Sequence, residues 1–253
     1  MKVLVAFAVD AEFAPWRALR DFRRSPVVSA RVWESRTGAI ELRVALTGMG
    51  PGRAAQAGSV FLDDRPDVCI SSGFAGALRP GHRPGEILAA REVSLAGSGP
   101  VVRSDESLYQ LALLCGAKPV GRFHTSATVL RSAREKASLG AAADAVEMES
   151  FFVLAEAARR EVPAVAIRAV SDAADEDLPL DFSQVVNERG AVSLPRLMAQ
   201  IARSPWSLPG VVRFGRESRR SATLLAGFLE RCVGTLAERA EERSEVVEEV
   251  AAT

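Results

Sequence analysis

Charge of one sign is what this chain most clearly lacks: 32 basic residues balance 32 acidic ones, for a formal net charge of zero. Neutralising a phosphate backbone normally leaves a basic excess, so no nucleic-acid partner is expected. Cysteine is scarce. Cys69, Cys115 and Cys232 are odd in number, far apart and set among apolar residues, which points to reduced core thiols in a cytoplasmic compartment rather than a disulfide framework. The only histidines, His82 and His124, have no ligand-like spacing, so no metal is expected. Long apolar runs are missing too. The stretch from Met1 to Val9 is too short to span a bilayer and no small-residue cleavage site follows it, which makes it a buried first strand. The sequence has no internal repeat and no low-complexity linker, and its composition does not shift before about residue 200.

What is present is enough for one large core. Of the 253 residues 48% are hydrophobic, and α/β folds of this size are common as single units. β-rich runs alternate with helical ones, which predicts a sheet covered by helices. Strands are expected near residues 2–9, 27–37, 40–47, 67–73, 85–95, 120–130 and 163–170. Helices are expected near 11–22, 51–63, 105–115, 132–139, 149–160, 183–202 and 217–238. Thr37-Gly38-Ala39 has the character of a hairpin turn, so the sheet should be mixed. The expected division is a main domain over 1–202, a helical extension packed on it over 203–238, and an acidic tail over 239–253. Six glutamates from Glu238 to Glu249 suit a solvated helix end or a disordered segment.

Carboxylates then appear abruptly in two apolar settings. Glu149 closes Val146-Glu147-Met148-Glu149 ahead of a helical run, and Asp172 ends the β-rich run from Ala164 to Val170. Ligands of α/β proteins sit at the carboxyl ends of strands, so acids there suggest a site. Stabilisation of a helix N-terminus is the competing explanation. Two glycine clusters accompany them. Thr47-Gly48-Met49-Gly50-Pro51-Gly52 lies between a strand and a helix, a setting for a ligand-facing loop, but the third glycine of a dinucleotide fingerprint would fall at Arg53. Ser71-Ser72-Gly73-Phe74-Ala75-Gly76 ends another strand, where a tight turn accounts for the glycines equally well.

In order and spacing these segments resemble the nucleoside phosphorylase-I family, most closely its 5′-methylthioadenosine/S-adenosylhomocysteine nucleosidase branch. The resemblance runs from Met1 to about Ala202 through Glu12, Thr47-Gly48-Met49-Gly50, Gly73-Phe74-Ala75-Gly76, Val146-Glu147-Met148-Glu149 and Arg168-Ala169-Val170-Ser171-Asp172. It implies a nucleoside phosphorylase-like fold, a single α/β domain with a central mixed sheet flanked by helices. It also implies a cytoplasmic homo-oligomer, a small-molecule nucleoside as partner and no cofactor. Beyond Ala202 the chain is similar, less specifically, to a hopanoid-associated phosphorylase subgroup.

The chemistry implied by this resemblance is cleavage of the bond between ribose and a purine. Asp172 matches the acid that protonates N7 of the departing base, for which burial or a neighbouring carboxylate would have to hold its proton. Glu149 matches the acceptor of both ribose hydroxyls, and Met148 would pack on the ribose face. Phe182 matches an aromatic that closes over the site, although a core phenylalanine fits as well. Glu12 stands where hydrolases hold a water. A carboxylate there repels phosphate by several kcal/mol in a poorly hydrated pocket, and Phe74 stands where the family has a small or hydroxylated residue, so hydrolysis is favoured over phosphorolysis. Arg168 and Ser171 are expected to help hold either nucleophile. In the base pocket, Val129 replaces a stacking aromatic beside Leu130, so adenine rests on the resemblance alone.

The 5′ side would suit a bulky apolar substituent, a lipid if the hopanoid-associated likeness holds. Residues 203–220 carry Arg203, Arg213, Arg216, Arg219 and Arg220 among Trp206, Leu208, Val211, Val212 and Phe214. Such a stretch is compatible with peripheral contact with anionic lipid, and equally with packing on its own domain or on a second subunit. A non-catalytic nucleoside-binding protein on the same fold stays open as a third reading.

Overall fold

A computed structural model describes residues 1–25, 31–95, 99–181, 185, 193–203 and 205–251. The chain opens with β1 (Lys2–Phe7), α1 (Asp10–Leu19), the short β2 (Arg23–Arg24), β3 (Val32–Thr37), β4 (Ile40–Leu46) and α2 (Pro51–Phe61). It continues through β5 (Val68–Ser71), β6 (Phe74–Ala77), β7 (Ile87–Leu95), β8 (Val101–Arg103), α3 (Glu106–Leu114), β9 (Lys118–Thr125) and α4 (Ala133–Leu139). The last elements are β10 (Ala145–Glu147), α5 (Ser150–Arg159), β11 (Ala164–Asp172), α6 (Leu194–Arg203), a single 3-10 turn (Pro205–Ser207) and α7 (Leu208–Ala251).

One mixed sheet runs β2-β3-β4-β1-β5-β11-β6-β10-β9-β7-β8. β1 is parallel to β4 and β5, and β11 is parallel to β5 and β6. β7 also pairs antiparallel with β11, so β11, β6, β10, β9 and β7 close into a ring. β11 therefore has neighbours on every side and all nine of its residues are buried. Side chains alternate across the sheet. Val3, Val5 and Phe7 pack with α1, α3 and α7, whereas Leu4 and Ala6 pack with α5 on the opposite face, giving a three-layer sandwich. A cluster of the buried rings of Phe7, Phe13, Trp16 and Trp33 with the half-buried Phe22 anchors α1 against β1 and β3.

Two sequence expectations change in position. The single strand expected over 67–73 is broken at Ser72-Gly73 and resumes as β6, because Gly73 adopts φ +141°. The last helix begins at Leu208 rather than near residue 217 and runs unbroken through the glutamate-rich segment. Its face made of Leu225, Phe228, Leu229, Cys232, Val233 and Leu236 belongs to the main core. Residues 27–30 of the expected second strand, and most of 183–192 of the expected sixth helix, lie outside the described residues. Among the described residues no helix is long and apolar enough to cross a membrane.

Candidate active site

The strand ends gather four carboxylates around one cavity of about 930 Å³. Its lining includes Glu12, Glu147, Glu149 and Asp172, together with Phe74, Val129, Leu130, Met148 and Ser171. The only cation lining it among the described residues is Arg219. Chain segments from α1, β6, β10, β11 and α7 contribute, so the site exists only when the sheet has closed.

Glu12 sits in the first turn of α1 and is buried. Its carboxylate accepts hydrogen bonds from the amides of Ala8 (2.9 Å), Val9 (3.0 Å) and Phe74 (2.8 Å). Burial pushes the carboxyl above the usual carboxylate range, against the pull of the Arg168 guanidinium and of those amides. The Gly73 break makes this approach possible. A Cβ at Gly73 would stand 2.6 Å from Glu12 Oε1.

Glu149 is the N-cap residue of α5, yet its side chain does not cap the helix. It reaches across instead to accept from the Gly50 amide at 2.9 Å, where Gly50 has φ +93°. Burial, the nearby charges of Glu147 and Glu12, and only partial relief from Arg168 and Gly50 push its carboxyl up to about 8. The sequence pointed to an ionised clamp; burial and the two neighbouring acids make that charge costly in the folded protein.

Glu147 does the capping. It accepts from the amides of Glu149 (3.0 Å) and Ser150 (2.6 Å), from the Thr125 hydroxyl, and from Arg168 at 2.7 Å. Burial opposes its charge, but Arg168 and these donors hold its carboxyl below the ordinary range. Arg168, expected to help hold either nucleophile, lies behind the carboxylates, 1% exposed, bonded to Glu147 and to Ser71 Oγ at 3.2 Å. Its influence on Glu12 and Glu149 is electrostatic.

Asp172 ends β11 beside a bulge in the pairing with β6, and a Cβ at Gly76 would stand 2.9 Å from its Oδ2. Ser171, expected to touch the nucleophile, donates to Asp172 Oδ1 at 2.5 Å. Among the described residues no carboxylate is paired with Asp172. Its charged contact is the buried Lys136, whose Nζ lies 2.5 Å from Oδ2. Val129 and Leu130 lie in the loop after β9 rather than in the strand expected to reach residue 130. Phe182 lies outside the described residues.

Sequence reasoning assigned no role to Glu147 or Lys136. Glu147 carried a signal, an acid between Val146 and Met148 in an apolar run, whereas Lys136 stands in a helix of charged and small residues that looks solvent-facing.

This arrangement can be set against known proteins. The model of the phosphorylase superfamily matches residues 2–203. The chain belongs to this superfamily. It is an enzyme of the nucleosidase and nucleoside phosphorylase class. The 5′-methylthioadenosine/S-adenosylhomocysteine nucleosidase of Geobacillus thermodenitrificans is 25% identical over 210 residues, 73% of this chain and 89% of that protein. Among solved structures, the Helicobacter pylori 5′-methylthioadenosine/S-adenosylhomocysteine nucleosidase bound to a pyrrolidine inhibitor superposes with a TM-score of 0.71 at 20% identity, covering 93% of this chain and 98% of that one. The futalosine hydrolase of Helicobacter pylori gives the same TM-score, identity and coverage. At that identity these structures show the shared superfamily fold.

Proposed function

We propose that the protein cleaves the N-glycosidic bond of a purine nucleoside by hydrolysis, with Asp172 as general acid and Glu12 holding the attacking water. The observation that carries this reading is the state of Glu12. The three amides that converge beside β6, those of Ala8, Val9 and Phe74, are already spent on a carboxylate. A phosphate dianion would need such donors and would meet acids at Glu12 and Glu149 instead. A water needs only an acceptor, and a carboxyl raised by burial is a stronger base once ionised.

Glu149 grips the ribose hydroxyls, with Met148 against the sugar face. Its high pKa suits that role, because positive charge developing on the sugar favours the ionised form and the interaction strengthens on the way to the transition state. Ser171 holds Asp172 for transfer to N7, and Val129 and Leu130 flank the base. The relative from Geobacillus thermodenitrificans, named for two adenine nucleosides, supports adenine as the base.

The cavity is also lined by Pro15, Leu19, Leu197, Val211 and Phe214, an apolar wall that suits a bulky 5′ substituent. A lipid on the 5′ carbon, as the hopanoid-associated likeness suggests, would fit it. Trp206, 80% exposed beside this wall's helices, would then give the chain a contact with anionic membrane surface. A homo-oligomer in the cytoplasm completes the proposal.

The test is base release from a panel of purine nucleosides with and without inorganic phosphate. The expected result is free ribose, or its 5′-substituted form, at a rate indifferent to phosphate, together with loss of turnover in Glu12→Gln. Phosphate-dependent turnover with ribose 1-phosphate as product would overturn the hydrolytic reading.

A further inference from the structure

Lys136 is a lysine with no exposed surface, and it does not line the cavity. Its three hydrogens have three oxygens to meet: the carbonyls of Ala173 and Glu176, each at 2.8 Å, and Asp172 Oδ2 at 2.5 Å. The backbone around it is held firmly. Ser132 Oγ accepts from the Glu135 amide and Glu135 Oε2 from the Ser132 amide, closing a capping box at the start of α4. The segment after β11 docks onto that same turn through Ala133 N to Asp177 Oδ1 at 2.7 Å and Leu178 N to Arg131 O at 2.8 Å. An ammonium taken out of water is retained where its partners use every hydrogen, and here one partner is the acid that faces the cavity.

We propose that Lys136 is the positioning residue of the general acid, and that the proton given to the departing base is supplied through it. This rests on the hydrolytic reading above. The Nζ–H bond aimed at Oδ2 breaks and that hydrogen becomes the O–H proton of Asp172. As the bond between the ribose carbon and the base breaks, Asp172 gives it to the purine nitrogen. Lys136 is left as a neutral amine whose two remaining hydrogens stay on Ala173 O and Glu176 O, and solvent returns the proton after the base leaves. Lysine suits this role where arginine does not, because a buried ammonium exchanges its proton and a guanidinium keeps it.

The test compares Lys136→Met, Lys136→Arg, Asp172→Asn and the double variant Lys136→Met/Asp172→Asn, with thermal unfolding of each. Lys136→Met is expected to lower kcat by about 100-fold with KM within about threefold, the scale of general acid catalysis. Lys136→Arg should keep the charge without restoring turnover. In the Asp172→Asn background Lys136→Met should cost less than about threefold more, because both changes remove one proton path. Should Lys136→Met fail to fold, Lys136→Gln gives the same readings while keeping hydrogens for the two carbonyls. Near wild-type kcat in Lys136→Met, rescue by arginine, or an equal further loss in the Asp172→Asn background would overturn the inference. Wild-type protein that releases no base from any nucleoside would instead remove the hydrolytic reading and this inference with it.

Discussion

Glu149 combines a buried carboxyl with an ordered amide partner, and its two roles oppose each other. Function asks for a charge beside the sugar, while folding asks that no unpaired charge be buried. The site holds the carboxyl at about 8, against an ordinary value of 4.5. Between those values the unfolded chain has released the proton and the folded chain keeps it, so this group's contribution to stability falls as pH rises from 4.5 and levels off above about 8. Glu149→Gln removes that cost. Its gain in stability is expected to grow across the same window to about 1–3 kcal/mol, a rise in Tm of several degrees near pH 8 and little near pH 4.5. Thermal unfolding at a series of pH values checks it, and a gain independent of pH would show that Glu149 is ionised in the folded state. The same variant should lose more on ribosides than on 2′-deoxyribosides, by about 1.5–3 kcal/mol of charged hydrogen bonding.

At the scale of elements, the interruption between β5 and β6 does more for the site than either strand. Both strands run parallel to β11, and an unbroken strand would leave the Phe74 amide in the ladder rather than on Glu12. Gly73 turns the chain at φ +141°, and a Cβ added there would stand within 3 Å of the Glu12 carboxylate. Gly73→Ala is expected to cost about 1–3 kcal/mol in strain and close contact and to reduce turnover further by displacing Glu12. Denaturant unfolding alongside kcat separates the two effects. A stable variant with wild-type kcat would mean that Glu12 need not sit on the Phe74 amide. A companion arrangement holds on the other side, where Glu147 caps α5 and ties β10 to Arg168 of β11, so that Glu149 is free to face Gly50.

Across the whole molecule, α7 joins two parts of the protein that are far apart in the chain. One stretch of it, with Phe228, Leu229 and Val233, fills the core under the sheet, and another, with Val211, Phe214 and Ser218, walls the cavity. Nucleosides with longer apolar 5′ substituents are therefore expected to bind more tightly, by about 0.8 kcal/mol for each methylene that becomes buried. Phe214→Ser should remove much of that gain while leaving an unsubstituted nucleoside nearly unaffected. Competition by a series of 5′-alkylthio adenosines measures it, and affinity that is flat with chain length would show that the wall does not meet the 5′ side.

The sequence by itself determined the layers and their order. The continuous apolar runs of β1 and β11 and the amphipathic helices between them are local patterns, and local patterns survive being read one segment at a time. It also marked Glu149 and Asp172, because an acid beside apolar residues at a strand end is conspicuous without coordinates, whereas Glu12 stood out only through the family resemblance. Phe74, Val129, Leu130, Met148 and Ser171 could be named from their motifs, but their convergence on one cavity could not. Only the tertiary structure decided the rest. Whether Arg168 faces substrate or stands behind the carboxylates depends on the side of the sheet to which Glu147 turns, and Lys136 becomes the partner of Asp172 only when α4 docks on the loop after β11. Charge and burial at these sites are sums over groups distant in sequence, and no single segment contains them.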